Sequence, residues 1–462
     1  MITIKDVLEW NHFIYENMNE EYRRSKAELT YSFLVSNSYL IKEALIDKML
    51  ENGKVEAPRD WELTTINLLP KITRNLNMLY SDKDKVFIEV VNKEGIVDQT
   101  ATDRYNYILE KYNINRYKKD ALRGAITFNT ILVGPKIRDN QLELDLLYPH
   151  QCSIMNSSQN YLKMRALTVD YEDEAGEVIY QTITPENIIV VNAKEEIVSN
   201  NPNEYAVIPY VVYRIEDKGD FWGEGLNEVV DLNNEINVQL TSLSTNGLYQ
   251  GGSILFGVNV SENGVVKVGP NSSLQVIESP NNKVTPSLSY ITPDPKIDQL
   301  ITLINFYIKQ AYIGQGLSST QYDSEGKDES GIAKYINNVE LQERRKDFID
   351  ASILFEKKLF SMLKIVYNKA IEDGELEGDP IVGDDVKVSY LQESISSLSD
   401  KEKYELTKMK LNDGILSIYD IVREEYGDTS LTDEECKKIV DDNKEINNIK
   451  ILPIIDSNTE LQ

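Results

Sequence analysis

The chain has 462 residues and a formal net charge of −27, from 49 Lys and Arg against 76 Asp and Glu. Its length allows two or three domains, and 41% hydrophobic and 27% charged residues are ordinary for a folded globular protein. The acidic excess argues against a conventional nucleic-acid binder, which uses cations to displace counterions from phosphates. Two interpretations stay open: a solvated surface, or a surface along which DNA slides without being gripped.

The first 80 or so residues predict helices. An apolar stripe with few breakers predicts one helix over Lys26–Leu50, ending at Asn52-Gly53. Further helices are expected at Trp61–Tyr80 and Thr102–Tyr112.

From about Gly124 to Tyr213 the pattern becomes that of β-strands. Short β-branched or aromatic runs predict six strands, at Ile126–Val133, Leu142–Tyr148, Leu162–Tyr171, Val178–Ile183, Ile188–Asn192 and Val207–Tyr213. The acidic run Glu172 to Gly176 predicts a hairpin loop. The predicted fold class is α+β with an antiparallel sheet.

Two helices enclosing a β-rich segment follow. The strand beginning at Ile208 leads through an acidic loop to Trp222-Gly223-Glu224-Gly225, and an amphipathic helix is predicted over 225–248. Strands are expected at Ser253–Val260, Gly264–Val268 and Leu274–Ile277. The return helix begins at Asp294-Pro295, because Asp suits the N-cap and Pro the first helical position. The sequence predicts a helical hairpin with a β-rich tip.

The C-terminal third is predicted to be mostly helical. A polar Gly- and Ser-rich loop covers Gly314–Gly331, and a helix of unusual length follows over Ile332–Ile371. After a strand at Val386–Leu391 the chain is charged and helical, with a break at Asn412-Asp413-Gly414.

Few residues suggest catalysis. The two histidines, His12 and His150, have no triad or zinc pattern around them, and no phosphate-binding loop occurs. Acidic runs such as Asp384-Asp385 favour solvated turns over a divalent-cation site or a glycosidase carboxylate pair. We therefore expect no enzyme, and no catalytic, metal-binding or cofactor-binding residues.

The cellular compartment is also suggested by the sequence. Cys152 and Cys436 lie far apart and form no CxxC pair, so a disulfide framework or zinc site is not expected and a reducing compartment fits. The N-terminus has no signal-peptide pattern, and no apolar run approaches 18 residues. We expect a cytosolic protein with no membrane contact.

The order of these segments resembles the portal proteins, or head–tail connectors, of tailed bacteriophages, in particular the branch of small siphophages from Gram-positive hosts. Three stretches carry the resemblance: IPYVVYR followed by FWGEGLNEVVDLNNEINVQLTSL, Ser330-Gly331-Ile332-Ala333 at the start of the long helix, and VKVSYLQ followed by a charged helix and NDGILS. Together they cover about two-thirds of the chain, from roughly 205 to 445.

The resemblance implies a portal-type fold with an α/β wing, a two-helix stem, a β-rich clip, a long wing helix and a helical crown. In sequence order it implies a wing over 1–224, stem helices at 225–248 and 293–316 around a clip at 249–292, a tunnel loop at 317–330, the rest of the wing at 331–395, and a crown and tail at 396–462.

The resemblance also implies function and partners. The subunits would form a homo-oligomeric ring, usually a dodecamer, at one vertex of the capsid in the virion, assembled in the host cytoplasm. Double-stranded DNA would pass through the ring during packaging and ejection. The partners would be the terminase large subunit, head-completion or adaptor proteins, and capsid and scaffolding proteins.

For DNA contacts within the channel, Lys327 is the strongest candidate, because tunnel loops of this family project into the lumen. Lys334, Arg344 and Arg345 are weaker candidates. The loop around Lys327 carries more acid than base, so we expect weak, salt-sensitive contact. Two alternatives stay open: another oligomeric head–tail component such as an adaptor or baseplate ring, and, less favoured, an acidic hydrolase.

Overall fold

The computed structural model describes most of the chain. The described residues are 2–51, 63–77, 79–80, 86–157, 159–172, 176–250, 254–258, 287–291, 297–317, 331–390, 400–412, 414, 416–426 and 432–446. The chain divides into two compact units, Met1–Gly326 with Asn338–Gln392, and Lys327–Asn337 with Glu393–Gln462.

Helices and strands alternate irregularly along the chain. The helices are α1 (Ile4–Glu16), α2 (Met18–Leu34), α3 (Ser38–Glu51), α4 (Leu69–Leu76), α5 (Gln99–Lys111), α6 (Ile114–Phe128), α7 (Asn227–Gln250), α8 (Ile297–Ile313), α9 (Gly331–Glu372), α10 (Asp400–Asn412), α11 (Ile418–Tyr426) and α12 (Asp433–Ile446). The strands are β1 (Val86–Val91), β2 (Thr130–Arg138), β3 (Gln141–Leu147), β4 (Cys152–Ser157), β5 (Asn160–Glu172), β6 (Val178–Ile183), β7 (Asn187–Asn192), β8 (Ile197–Pro202), β9 (Val211–Arg214), β10 (Ile254–Val258), β11 (Ser287–Ile291) and β12 (Asp385–Tyr390).

The described strands form four sheets, and every pairing in them is antiparallel. Their orders are β4-β5-β6-β7-β8, β3-β2-β9, β1-β12 and β10-β11. The predicted α+β class is therefore confirmed, because helices pack on antiparallel sheets in the first unit.

The main core of the first unit lies between the long helix α9, the helices α2 and α6, and the sheet that contains β2 and β9. On one side of this core the rings of Tyr213 and Phe355 stack with their centroids 4.0 Å apart. Both side chains are almost completely buried, so they tie β9 to the middle of α9.

Several predictions agree with the structure. The helix predicted at Thr102–Tyr112 matches α5, and the forty-residue helix predicted from Ile332 matches α9, which has 42 residues. The predicted hairpin is formed by β5 and β6, in which Glu172 pairs with Val178. The strand predicted at Val386–Leu391 corresponds to β12.

Two helix predictions were wrong. The single helix over Lys26–Leu50 is interrupted between α2 and α3, where Ser36 has a left-handed backbone with φ of 58°. There Asn67 donates hydrogen bonds to the carbonyl oxygen of Phe33 and to Ser36 Oγ. Of the helix predicted over Trp61–Tyr80, the described residues 63–77 and 79–80 are helical only in the eight residues of α4.

The strand prediction at Ile126–Val133 was partly wrong. Residues up to Phe128 belong to α6, and β2 begins at Thr130 after Asn129, whose φ is 64°. Helix α6 and the strands β1, β4 and β8 were not predicted, and β11 lies in the segment 249–292 that was predicted to be β-rich, at a position where no strand was assigned. The strands predicted at Gly264–Val268 and Leu274–Ile277 lie outside the described residues.

In the second unit, α10, α11 and α12 follow the predicted charged, helical pattern. Thr432 and Glu435 form a reciprocal capping contact at the start of α12, since Thr432 N–H donates to the Glu435 carboxylate at 2.9 Å. Arg423 of α11 donates hydrogen bonds to Asp420 at 3.2 Å and to Asp433 at 2.5 Å. These contacts connect the last two helices.

Candidate channel helices

The predicted helical hairpin is present in the described residues. Helix α7 has 24 residues, which gives a length of about 36 Å. It packs along α8, and the antiparallel strands β10 and β11 lie within residues 251–296 that join the two helices. The arrangement is a pair of helices whose connection contains a β-ribbon.

The exposed side of α7 is acidic. Glu228 and Asp231 are exposed, and Glu235 and Gln239 are half-buried one and two turns further along. Spacings of three and four residues place these side chains on one stripe of the helix. No Lys or Arg occurs in α7, and the Nζ of Lys26 lies 3.9 Å from Asp231. The stripe would repel a phosphate backbone.

The exposed side of α8 is partly apolar. Ile301, Phe306 and Ile313 are 42%, 53% and 41% exposed, whereas Ile304 and Tyr312 are buried. Polar residues such as Asn305 lie between the exposed apolar ones. Phe306 and Ile313 lie two turns apart on the same side of α8, whereas Ile301 lies about 140° around the helix from Phe306. Together Phe306 and Ile313 form an apolar surface that another protein surface would cover favourably.

A tight elbow connects β9 to α7 and explains the glycines singled out in the sequence. Gly225 has φ of 52°, and a Cβ there would lie 2.2 Å from the carbonyl oxygen of Thr127. That oxygen accepts a hydrogen bond of 2.7 Å from the N–H of Leu226. At Gly223, with φ of 69°, a Cβ would lie 2.3 Å from Asn129 Nδ2. Both positions therefore require glycine.

Asn129 holds the same elbow from the other side. Its Nδ2 donates to the carbonyl oxygens of Glu216 at 3.0 Å and Trp222 at 3.3 Å, and its Oδ1 accepts from the N–H of Glu216 at 3.1 Å. Phe221 is buried, and the guanidinium of Arg23 lies 4.9 Å from the centre of the Trp222 ring. The start of α7 is thus fixed to the end of α6.

A ladder of polar side chains fixes the rotation of α7 about its axis. Asn233, Asn237 and Thr241, each 0% exposed, face the extended segment 63–68. Asn233 Oδ1 accepts from Leu68 N–H at 2.7 Å, Asn237 Oδ1 accepts from Ile66 N–H at 2.8 Å, and Thr241 Oγ1 accepts from Thr64 N–H at 3.1 Å.

The ladder works because two spacings match. Four residues along a helix span about 6 Å, and two residues of extended chain span about 6.6 Å. In the reverse direction Asn233 Nδ2 donates to the carbonyl oxygen of Ile66 at 2.8 Å, and the Thr241 hydroxyl donates to the carbonyl oxygen of Thr64 at 3.2 Å. The ladder was not predicted from the sequence, although polar residues spaced by four on the apolar side of α7 were its visible signal.

Two of the proposed DNA-contact residues, which lie within α9, bond carbonyl groups at the C-terminal ends of other helices. Arg344 Nη1 donates to the carbonyl oxygen of Gly314, just after α8, at 3.5 Å. Arg345 Nη2 donates to that of Asn75, in the last turn of α4, at 3.4 Å. Burial lowers the pKa of both guanidinium groups. Their cations are placed where helix dipoles favour positive charge, so each connects α9 to another helix.

The other two candidates cannot be placed. Lys327, together with most of the predicted tunnel loop, lies outside the described residues. Lys334 lies in the first turns of α9, and its side chain is outside the described part. Among the four candidates, the structure describes the side chains of Arg344 and Arg345 alone, and the role of all four in DNA contact stays a prediction.

A buried ion pair joins α6 to α9. Lys118 Nζ lies 2.8 Å from Glu356 Oε2, and both side chains are fully buried. The Tyr80 hydroxyl donates to Glu356 Oε1 at 2.9 Å and lies 3.3 Å from the hydroxyl of Tyr390. The charges are thus paired and hydrogen-bonded, as a buried pair requires.

Neighbouring groups and burial shift the pKa values of the two histidines in opposite directions. A hydrogen bond of 2.8 Å to Glu195, with the negative charge of Glu16, raises the pKa of His12 above its ordinary value of 6.5. Burial, with Arg24 and Arg23 nearby, lowers the pKa of His150 to about 4.

The described residues contain neither a metal-binding cluster nor a membrane-spanning helix. No cluster of three or more His, Cys, Asp or Glu side chains there has a metal-binding arrangement. Within the same residues no helix combines the length and apolar character needed to span a bilayer.

Comparison with known proteins gives little. No protein-family model matches the sequence. No curated protein matches it. Among solved structures, the chain is similar to a chain of "Virion of native gene transfer agent (GTA) particle", with a TM-score of 0.41 and 9% sequence identity, covering 78% of this chain and 90% of that chain. A TM-score at this level carries no argument about the fold or the function.

Proposed function

We propose that this chain is the portal subunit of a tailed bacteriophage. Copies of it form a ring at one vertex of the capsid, and double-stranded DNA enters and leaves the head through the ring. The chain acts as an assembly and channel protein and carries out no chemical reaction.

The observation that carries this proposal is the pair α7 and α8 with a β-ribbon in its connection. The two exposed surfaces of the pair differ, because α7 presents the acidic stripe and α8 presents Phe306 and Ile313. In a ring, the apolar side can be covered by a neighbouring copy while the acidic side faces water. The fixed rotation of α7 supports this division, since the ladder keeps one face buried in its own subunit.

The acidic stripe fits a channel that DNA crosses without being held. Carboxylates repel phosphate equally at every position along the duplex, so the channel offers no strong binding register. The net charge of −27 is consistent with the same behaviour. Contacts from Lys327 would be few and sensitive to salt.

The further partners follow from this proposal. The β-rich tip between α7 and α8 would dock the terminase large subunit during packaging and head-completion or adaptor proteins afterwards. The first unit would face capsid and scaffolding proteins at the vertex of the virion. An adaptor or baseplate ring is the second candidate, because it would also be an oligomer with exposed apolar helix surfaces.

Electron microscopy of the purified full-length protein in negative stain tests the proposal. We expect rings with a central hole, and light scattering after size exclusion should give a mass near 630 kDa if twelve copies of the 52.8 kDa chain assemble. A homogeneous monomer in both measurements would contradict the proposal and favour a hydrolase.

A second measurement separates a portal from an adaptor or baseplate ring. Heads isolated before DNA packaging should already contain this protein, in an amount equal to one ring per particle. If the protein is absent from empty heads but present in completed particles, it belongs to a ring that joins the particle after packaging.

A further inference from the structure

A groove beside β9 is not used by the proposed channel. It has a volume of about 530 Å³ and lies between β9 and the middle of α9. Val212, Arg214 and Ile215 form one wall, and Ala351, Leu354 and Phe355 form the other. All of these residues belong to the first unit.

One wall of the groove is the free edge of a sheet. In the order β3-β2-β9, strand β9 has β2 as its single hydrogen-bonded neighbour among the described strands. Ile215 N–H donates to the carbonyl of Asn129 on the β2 side at 2.9 Å. Along an antiparallel pair of strands, residues whose backbone groups bond the partner strand alternate with residues whose backbone groups point away from it. Ile215 is of the first kind, so Val212 and Arg214 are of the second, and their N–H and C=O groups point toward the open edge. An open edge of this kind can accept another strand.

The floor and the rim of the groove specify which strand would fit. Leu354 is 62% exposed beside the buried Phe355, so the floor offers apolar surface. The exposed carboxylates of Glu216, Asp217, Asp347 and Asp350 surround it, against the cations of Lys358 and Arg214. Lys218 Nζ lies 3.3 Å from Glu216 and pairs with it, so the remaining excess of negative charge on the rim comes from Asp217, Asp347 and Asp350 against Lys358 and Arg214. This excess favours a basic occupant.

We propose that this groove binds an extended segment of a partner protein that pairs with the edge of β9. The segment presents apolar side chains to Leu354 and basic side chains to Asp347 and Asp350. The backbone of Val212 and Arg214 supplies the hydrogen bonds, the apolar floor contributes burial, and the rim selects the sign of charge. This inference does not rest on the proposed ring, because none of its residues lies on α7 or α8.

A peptide of alternating composition tests the inference with the full-length protein. We expect the acetylated peptide VKVKVKV to bind, and its charge-reversed counterpart VEVEVEV to bind at least about tenfold more weakly. Hydrogen exchange followed by mass spectrometry or NMR should show the amides of Val212 and Arg214 slowed by about tenfold or more when VKVKVKV is present.

Matched variants separate the groove from general attraction to an acidic protein. Asp347→Asn combined with Asp350→Asn should weaken peptide binding about three- to tenfold. Glu28→Gln combined with Glu94→Gln removes the same formal charge from exposed positions elsewhere and should leave binding unchanged. Equal weakening in the two double variants would overturn the proposal.

Two other results would also overturn it. Unchanged exchange at Val212 and Arg214 with the peptide bound would place the peptide elsewhere. Slow exchange at both amides before any peptide is added would assign the groove to a second copy of this chain.

Discussion

Asn233 in α7 accepts a hydrogen bond of 2.7 Å from the backbone N–H of Leu68, a residue 165 positions earlier in the chain. Asn237 does the same for Ile66 one helical turn later. The two contacts make α7 the partner of an extended segment, in the way that a neighbouring strand would be.

Loss of one ladder contact should destabilise the first unit. We expect Asn233→Leu to leave the Leu68 N–H and the Ile66 carbonyl oxygen without their hydrogen bonds to α7, lowering the free energy of unfolding by about 1–3 kcal/mol. Urea denaturation followed by circular dichroism measures this. Gln239→Leu is the control on the same helix, because Gln239 is half-exposed and bonds Glu235 within α7. Equal losses in the two variants would remove the ladder's special role.

Breaking the buried ion pair should have a larger effect. Lys118→Met leaves the Glu356 carboxylate buried without its cation, which we expect to cost about 3–5 kcal/mol in unfolding experiments. Adding Glu356→Leu should recover most of that loss, since an apolar pair of similar volume avoids the unpaired charge. Lys369→Met, which breaks an exposed pair with Asp373, should have no measurable effect. A double variant no better than Lys118→Met would contradict this account.

The two histidines should titrate on opposite sides of pH 6.5. The raised pKa of His12 means that its contribution to stability is fully present below the unfolded value near 6.5 and is lost as pH rises through the folded value. The lowered pKa of His150 means that its contribution is present above 6.5 and is lost as pH falls toward about 4.

Histidine NMR signals followed from pH 3.5 to 8.5 measure both titrations. Glu195→Gln should move the His12 midpoint down and leave that of His150 in place, because the hydrogen bond of 2.8 Å involves His12 alone. Coincident midpoints for the two rings would show that these environments do not persist in solution.

Ring assembly should depend on the apolar side of α8. Phe306 is 53% exposed, and Phe306→Glu would place a charge where a neighbouring copy is proposed to pack. We expect rings to be replaced by monomers in negative stain and light scattering. Asn305→Glu introduces a charge at an exposed position about 100° around the helix from Phe306, away from the surface of Phe306 and Ile313, and should retain rings. Intact rings from Phe306→Glu would exclude this surface from the subunit interface.

DNA contact by the predicted tunnel loop should be weak. We expect Lys327→Glu to reduce the rate of packaging or the retention of packaged DNA, with an effect that diminishes as salt is raised. Lys194→Glu, an exposed change in the turn between β7 and β8, is the control. Packaging and retention equal to wild type in Lys327→Glu would remove Lys327 as a DNA contact.

Local patterns predicted the elements whose causes are local. The absence of Gly and Pro from Ile332–Ile371 predicted α9 almost to its ends, and the glycines at 223 and 225 correctly indicated a turn before α7. The acidic loop between β5 and β6 gave the hairpin. In each case the deciding residues lie within the element itself.

The errors occur where distant residues decide the conformation. The break between α2 and α3 is held by Asn67, about thirty positions away. Residues 63–68 are extended because side chains of α7 bond their backbone. The pattern of residues within that segment gives no information about α7, so it predicted a helix there. The ladder could have been suspected from Asn233, Asn237 and Thr241, but its partner segment could not.

The elbow at Gly225 has a mechanical consequence. The N–H of Leu226 donates to the Thr127 carbonyl oxygen, and a Cβ at position 225 would collide with that same oxygen. The start of α7 is therefore joined directly to the last turn of α6. A change in the tilt of α7 must therefore move α6 or break this contact. Helix α6 carries Lys118, whose buried partner Glu356 lies on α9. A force that tilts the candidate channel helix α7 would therefore act on α6, and through the Lys118–Glu356 ion pair on α9.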